Sequence, residues 1–188
     1  MIEALLVSTG VVALAEIGDK TQLLALVLAA RFRAPVPIIW GILVATLLNH
    51  AAAGALGAWL AQTVTPQSMR WILGVSFIGM ALWMLIPDQL DQGPRTETRF
   101  GVFGTTLIAF FLLEIGDKTQ IATVALAAKY ASLTIVVIGT TLGMLIANAP
   151  AVLLGEVAAR RLNMKLVHAI AAVIFLALGV AVLWRAPT

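Results

Sequence analysis

Glu16, Asp19 and Lys20 belong to a seven-residue run, Glu16-Ile17-Gly18-Asp19-Lys20-Thr21-Gln22, that recurs unchanged 98 positions later as Glu114-Ile115-Gly116-Asp117-Lys118-Thr119-Gln120. Both copies lie inside long apolar stretches. A carboxylate placed in hydrocarbon costs several kcal/mol unless it is paired, protonated or hydrated. Two acids and one base, repeated, are therefore the groups from which an ion or proton pathway is built.

On a continuous helix, residues three apart share a face, so Glu16 and Asp19 can converge, as can Glu114 and Asp117. Lys20 follows Glu16 by four residues, and Lys118 follows Glu114 by four. That spacing permits an ion pair within each motif. With all six groups ionised, four negative and two positive charges leave minus two, the complement of one divalent cation. Carboxylate, amide and hydroxyl oxygens suit calcium, magnesium and manganese, and Thr21, Gln22, Thr119 and Gln120 can add neutral oxygens. Gly18 and Gly116 allow the backbone to unwind there. The same carboxylates can carry protons once a metal leaves, the simplest coupling of metal export to proton entry. The bland alternative, an ion pair that only ties helices together, accounts for one such motif more readily than for two identical ones.

Further polar residues lie inside apolar runs. His50 corresponds by the same offset to Asn148, and both are candidates for the pathway, with Asn49 beside them. Pro150 would free a carbonyl one turn earlier. Glu156 is expected to pair with Arg160 at the surface, and Glu3 and His168 are read as interfacial without a role.

These groups need elements to hold them. The chain has 188 residues, 61% of them hydrophobic and 11% charged. Its mean hydropathy is +1.02. Such a composition belongs in the lipid bilayer and predicts an all-α membrane protein. Six apolar stretches fall at roughly 4–30, 36–61, 69–87, 101–128, 134–158 and 166–184. Each is long enough to cross. The first and fourth, about 40 Å if continuous, predict tilt, a kink or a break near Gly18 and Gly116. The opening run carries Glu3 and no basic residue before the motif interrupts it. It is therefore expected to be a retained span and not a secretory signal.

The offset of 98 also aligns Leu28-Ala29-Ala30-Arg31-Phe32 with Leu126-Ala127-Ala128-Lys129-Tyr130, Gly41 with Gly139, and Gly57 with Gly155. These glycines read as sites of close helix packing. The chain is then two three-helix repeats, residues 1–87 and 101–188, joined by a loop over 88–100. An odd number of spans per repeat inverts one against the other and lets both motifs meet at the midplane. Arg31, Arg33, Arg95, Arg99, Arg160, Arg161 and Lys165 fall on one side, and Arg70, Lys129 and Arg185 on the other. That bias predicts a cytoplasmic central loop and periplasmic termini. Trp40, Trp59, Trp71, Trp83 and Trp184, near span ends, form the expected interfacial belt.

Several function classes drop out. No cysteine is present, so disulfides and thiolate metal sites are excluded. A net charge of +3 with dispersed basic residues gives no nucleic-acid footprint. No nucleophile and base arrangement is evident and neither histidine adjoins a motif, so the chain is not read as an enzyme and needs no resident cofactor. Three readings stand: a secondary transporter exporting a divalent cation against protons, a passive divalent-cation channel, and an exporter of a small organic cation or amino acid. Oligomeric state is open.

Two copies of Glu-x-Gly-Asp-Lys-Thr in a six-span chain closely resemble the cation-exchanger family of Golgi calcium/manganese transporters, chloroplast manganese transporters and bacterial manganese exporters of the MneA type. The resemblance covers nearly the whole chain. It implies export of manganese, or of calcium and manganese, against protons, with Glu16, Asp19, Glu114 and Asp117 at the ion site. It also implies an acidic residue in some relatives where this chain has Asn148. The short central loop resembles that of bacterial members, which implies the inner membrane.

Overall fold

The computed structural model describes residues 1–86, 100–154 and 164–184. Among them the chain is all helical: α1 (Ile2–Glu16), α2 (Lys20–Phe32), α3 (Pro35–Thr63), α4 (Pro66–Trp83), α5 (Gly101–Glu114), α6 (Lys118–Tyr130), α7 (Leu133–Leu154) and α8 (Met164–Trp184). The expected central loop, with Arg95 and Arg99, and the expected roles of Gly155, Glu156, Arg160, Arg161 and Arg185 lie outside the described residues.

Local chemistry sets the boundaries. Pro35 and Pro66 open α3 and α4, where a missing N–H leaves no helix bond unmade. Thr65 caps α4 by accepting from the Ser68 amide at 3.3 Å, which satisfies one of the free donors of the first turn. Arg33 and Ala131 end α2 and α6 with φ of 49° and 48°. Both lie in the left-handed region that commonly closes a helix. These two residues are also 98 apart, so the halves share backbone detail as well as sequence.

Among the described residues three helices, α3, α7 and residues Lys165–Trp184 of α8, are long and apolar enough to cross a membrane. The stretches 4–30 and 101–128, expected as long spans, are each two helices, α1–α2 and α5–α6, with the break at the motif glycine. Of tilt, kink and break, the chain takes the break.

Packing follows the duplication. The first helix of each half lies against the long helix of the other, α1 on α7 and α5 on α3, and α4 packs on α8. Small residues allow the approach. A Cβ on Gly139 would stand 2.9 Å from the Leu5 carbonyl oxygen, and one on Gly41 would stand 2.7 Å from Thr106 Cβ. At Gly57 it would run into the Val124 carbonyl oxygen. Apolar side chains such as Leu48, Leu56, Ile146 and Leu153 face outward, as do Trp40, Trp59, Trp71 and Trp184. The buried interior is instead rich in polar groups around the two helix breaks.

Candidate metal centre

Each break is built the same way. The chain leaves α1 at Glu16, runs extended through Ile17 (φ −65°, ψ 115°), turns at Gly18 with φ 84°, and enters α2 at Asp19 (φ −79°, ψ 169°). In the second half the sequence is Ile115 (φ −61°, ψ 119°), Gly116 (φ 76°) and Asp117 (φ −77°, ψ 163°). Only glycine takes such a positive φ without penalty, which explains both glycines. The amides of Gly18 and Gly116 donate to the side-chain oxygens of Gln22 and Gln120, at 2.9 and 2.7 Å. Both glutamine oxygens, expected among the neutral cation ligands, are thus engaged in closing the breaks. Gln22 also donates from Nε2 to the Ala147 carbonyl on α7 at 2.9 Å.

A broken helix presents two kinds of end. The C-termini of α1 and α5 carry partial negative charge, with the Glu16 and Glu114 carbonyls accepting from the Asp19 and Asp117 amides at 3.0 Å each, and the N-termini of α2 and α6 carry N–H groups and partial positive charge. Asp19 and Asp117 occupy the N-cap positions of α2 and α6, where a carboxylate is favoured. Thr119 N–H lies 3.5 Å from Asp117 Oδ2.

The breaks bring acids of both halves together. Carboxylate oxygens of Glu16, Asp19 and Asp117 lie within 4.8 Å of one another, and all three residues are buried. Oxygens on opposite sides of a hard cation, each about 2.1–2.6 Å from it, are about 4.2–5.2 Å apart, so the cluster has the dimensions to hold one. Three acids from two chain segments also repel, and the lysines answer this by crossing over: Lys20 Nζ is 2.8 Å from Asp117 Oδ1 and Lys118 Nζ is 3.5 Å from Asp19 Oδ1. The ion pairs expected within each motif, Lys20 with Glu16 and Lys118 with Glu114, give way to pairs between motifs. The helix break is the reason, because the four-residue spacing aligns side chains only along an unbroken helix.

Glu114 stands apart from the three-acid cluster. Its Oε1 accepts from the Thr46 hydroxyl at 2.9 Å and its Oε2 from the Asn49 amide at 2.9 Å. Glu16 Oε2 accepts from Thr21, and the Thr119 hydroxyl is 3.3 Å from Asp117 Oδ2. Neither ring nitrogen of His50 has a hydrogen-bond partner among the described residues, although the side chain is fully buried. Asn148 turns its amide back on its own helix, to the Met144 carbonyl at 3.1 Å and Met144 Sδ at 2.9 Å.

Sequence reasoning missed Thr46 and noted Asn49 only beside His50. Thr46 and Asn49 form, with His50, a polar row at three- and four-residue spacing along an apolar helix, and that row was the available signal. His168, read as interfacial, is half-buried with Nε2 3.0 Å from the Ile17 carbonyl oxygen in the first break. No pattern in α8 pointed to it.

Comparison with known proteins covers nearly the whole chain. The family model described as divalent cation/proton antiporter GDT1 matches residues 4–92 and 102–188. A Vibrio cholerae protein named "Putative manganese exporter" is 51% identical over 182 residues, covering 96% of this chain and 90% of that protein. GDT1-like protein 3 of indica rice is 26% identical over 207 residues, covering 96% of the chain and 74% of the relative. A GDT1-like protein of Synechocystis is 26% identical over 200 residues, with 92% and 93% covered. No solved structure matches.

Proposed function

Since this chain belongs to the GDT1 family of divalent cation/proton antiporters, we propose that it exports manganese from the cytoplasm in exchange for protons, with calcium as a second substrate, through the site formed by its two motifs. The observation that carries this reading is the meeting of Glu16, Asp19 and Asp117, drawn from both halves, with lysines paired across the motifs. The identity to the Vibrio protein favours manganese among the hard cations.

The mechanism follows from charge. A divalent cation entering the cluster competes with Lys20 and Lys118 for the aspartates, so the lysines hold the acids in place between ions and yield when one arrives. After the cation leaves, protons and the lysines neutralise the acids again, which couples the two fluxes without an uncompensated charge in the bilayer. In this reading α1–α2 and α5–α6 each act as one discontinuous span. The six spans are two inverted three-helix repeats, residues 1–87 and 101–188, set in a bacterial inner membrane with periplasmic termini and a cytoplasmic loop. The breaks then lie near the midplane, where half-helix ends can face an ion.

Purified protein in lipid vesicles provides the test. An imposed manganese gradient should drive proton movement in the opposite direction, and Glu16→Gln and Asp117→Asn should abolish it. Metal flux without proton movement would mean a channel, and competition by amino acids would mean an organic-cation exporter; either result overturns the reading.

A further inference from the structure

The two half-sites are unequal in what holds their glutamates. Both oxygens of Glu114 are gripped from α3, one by Thr46 and one by Asn49. The same Asn49 nitrogen lies 3.1 Å from the Phe111 carbonyl, so side chain and helix are held together. Thr46, Asn49 and Glu114 are all buried, at 0%, 2% and 1% exposure. Moving 98 positions along the chain, Thr46 becomes Met144 and Asn49 becomes Ala147. Neither side chain can donate a hydrogen bond of this kind, so the duplicate of the clamp does not exist for Glu16. Glu16 is held only by threonines of the motifs: Oε2 accepts from Thr21, Thr119 of the other motif also interacts with the carboxyl group, and Oε1, fully buried, makes no further hydrogen bond among the described residues.

We infer that Thr46 and Asn49 are positioning residues that fix Glu114 as a stationary carboxylate beside the three-acid cluster, and that Glu16, a member of that cluster with no clamp from α7, is the carboxylate that turns to take up and release the cation. This rests on the cation site of the antiport reading. Hydrogen bonds to an ionised acceptor are the strong kind, and one on each oxygen removes rotamer freedom before any ion arrives. Each oxygen keeps a further lone pair for a metal. A ligand ordered in advance strengthens binding, whereas release requires at least one ligand that can move. The unequal halves divide these two demands between Glu114 and Glu16.

The test measures manganese binding to the purified protein in detergent by the spin-resonance signal of free Mn2+, with proton flux in vesicles followed in parallel. Thr46→Val and Asn49→Leu should each raise the Kd about tenfold, and Thr46→Ser should stay within about threefold of the parent. The mirror variant Met144→Thr with Ala147→Asn should bind manganese at least as tightly as the parent while its maximal flux falls about tenfold. A Thr46→Val or Asn49→Leu protein that melts lower but binds with the parent's Kd would show a purely structural role and overturn the proposal. A mirror variant that folds and keeps full flux would overturn the assignment of the moving role to Glu16. If the mirror variant does not fold, the Kd values of the α3 variants decide. Manganese binding without proton flux in the parent would sink the antiport reading alone, and no binding by the parent would sink both.

Discussion

Lys20 of the first motif lies 2.8 Å from Asp117 of the second, so the charge balance of each half-site is supplied by the other. Lys118 and Asp19 complete the exchange at 3.5 Å. Each aspartate thus takes a lysine from the other motif.

Removing one partner of such a pair takes a close opposite charge from the other. Lys20→Gln and Asp117→Asn should each lower stability by about 1–3 kcal/mol. That range is discounted from the fully buried case because Lys20 is 23% exposed. The double variant should recover at least about 1 kcal/mol of the summed loss. Thermal melting of the four proteins in detergent closes the cycle, and strict additivity would mean that the pair contributes nothing.

Isosteric loss of charge in the cluster should act on transport more than on folding. Glu16→Gln, Asp19→Asn and Asp117→Asn are each expected to reduce manganese-driven proton flux about 100-fold or more, equivalent to about 2.7 kcal/mol. Glu3→Gln, far along α1 and hydrogen-bonded at 3.3 Å to Tyr130, should retain the parent's flux. Vesicle flux at matched protein content checks both, and equal losses in all four would point to misfolding.

Glycines should sort by surroundings. Gly18 has φ 84°. Forcing a residue with a Cβ into that region, as Gly18→Ala does, should cost about 1–2 kcal/mol. Gly57→Ala would press into the Val124 carbonyl and cost at least as much. Gly10 and Gly79 have nothing within 4 Å of an added carbon. Alanine at either should be neutral or stabilise by up to about 1 kcal/mol. Melting temperatures in one detergent provide the comparison; a reversed order would contradict the packing described.

Gln22 closes its break and also ties it to α7. Gln22→Leu should therefore expose the Gly18 amide and free the break from the Ala147 carbonyl, giving faster hydrogen exchange across residues 17–22 than in the parent. Unchanged exchange there would remove the glutamine from this role.

Much of the candidate site was legible because its signal is local. The identical heptads, their offset and the acids within apolar stretches singled out Glu16, Asp19, Glu114 and Asp117 as candidates, and the structure brings carboxylate oxygens of Glu16, Asp19 and Asp117 within 4.8 Å of one another. Glycine inside each motif foretold an interruption. Gly41, Gly57 and Gly139 were legible as packing sites for a similar reason, since small residues on membrane-type helices have few other uses. Pairing was not legible. The inference that Lys20 meets Glu16 assumed a continuous helix, and the break at Gly18 removed the geometry on which it rested.

From sequence alone, then, came the chemical inventory: hard oxygen donors, balancing bases, a duplicated plan and a chain suited to lipid. Tertiary structure alone decided which acid faces which base, that Thr46 and Asn49 hold Glu114, and that His168 reaches the first break. The physical reason is range. Composition, periodicity and backbone freedom act within a few residues, whereas Lys20 and Asp117 are 97 positions apart and meet only because α1 packs on α7 and α5 on α3. Contacts of that kind depend on how whole helices fit together, and two motifs identical in every residue can still be held by different neighbours.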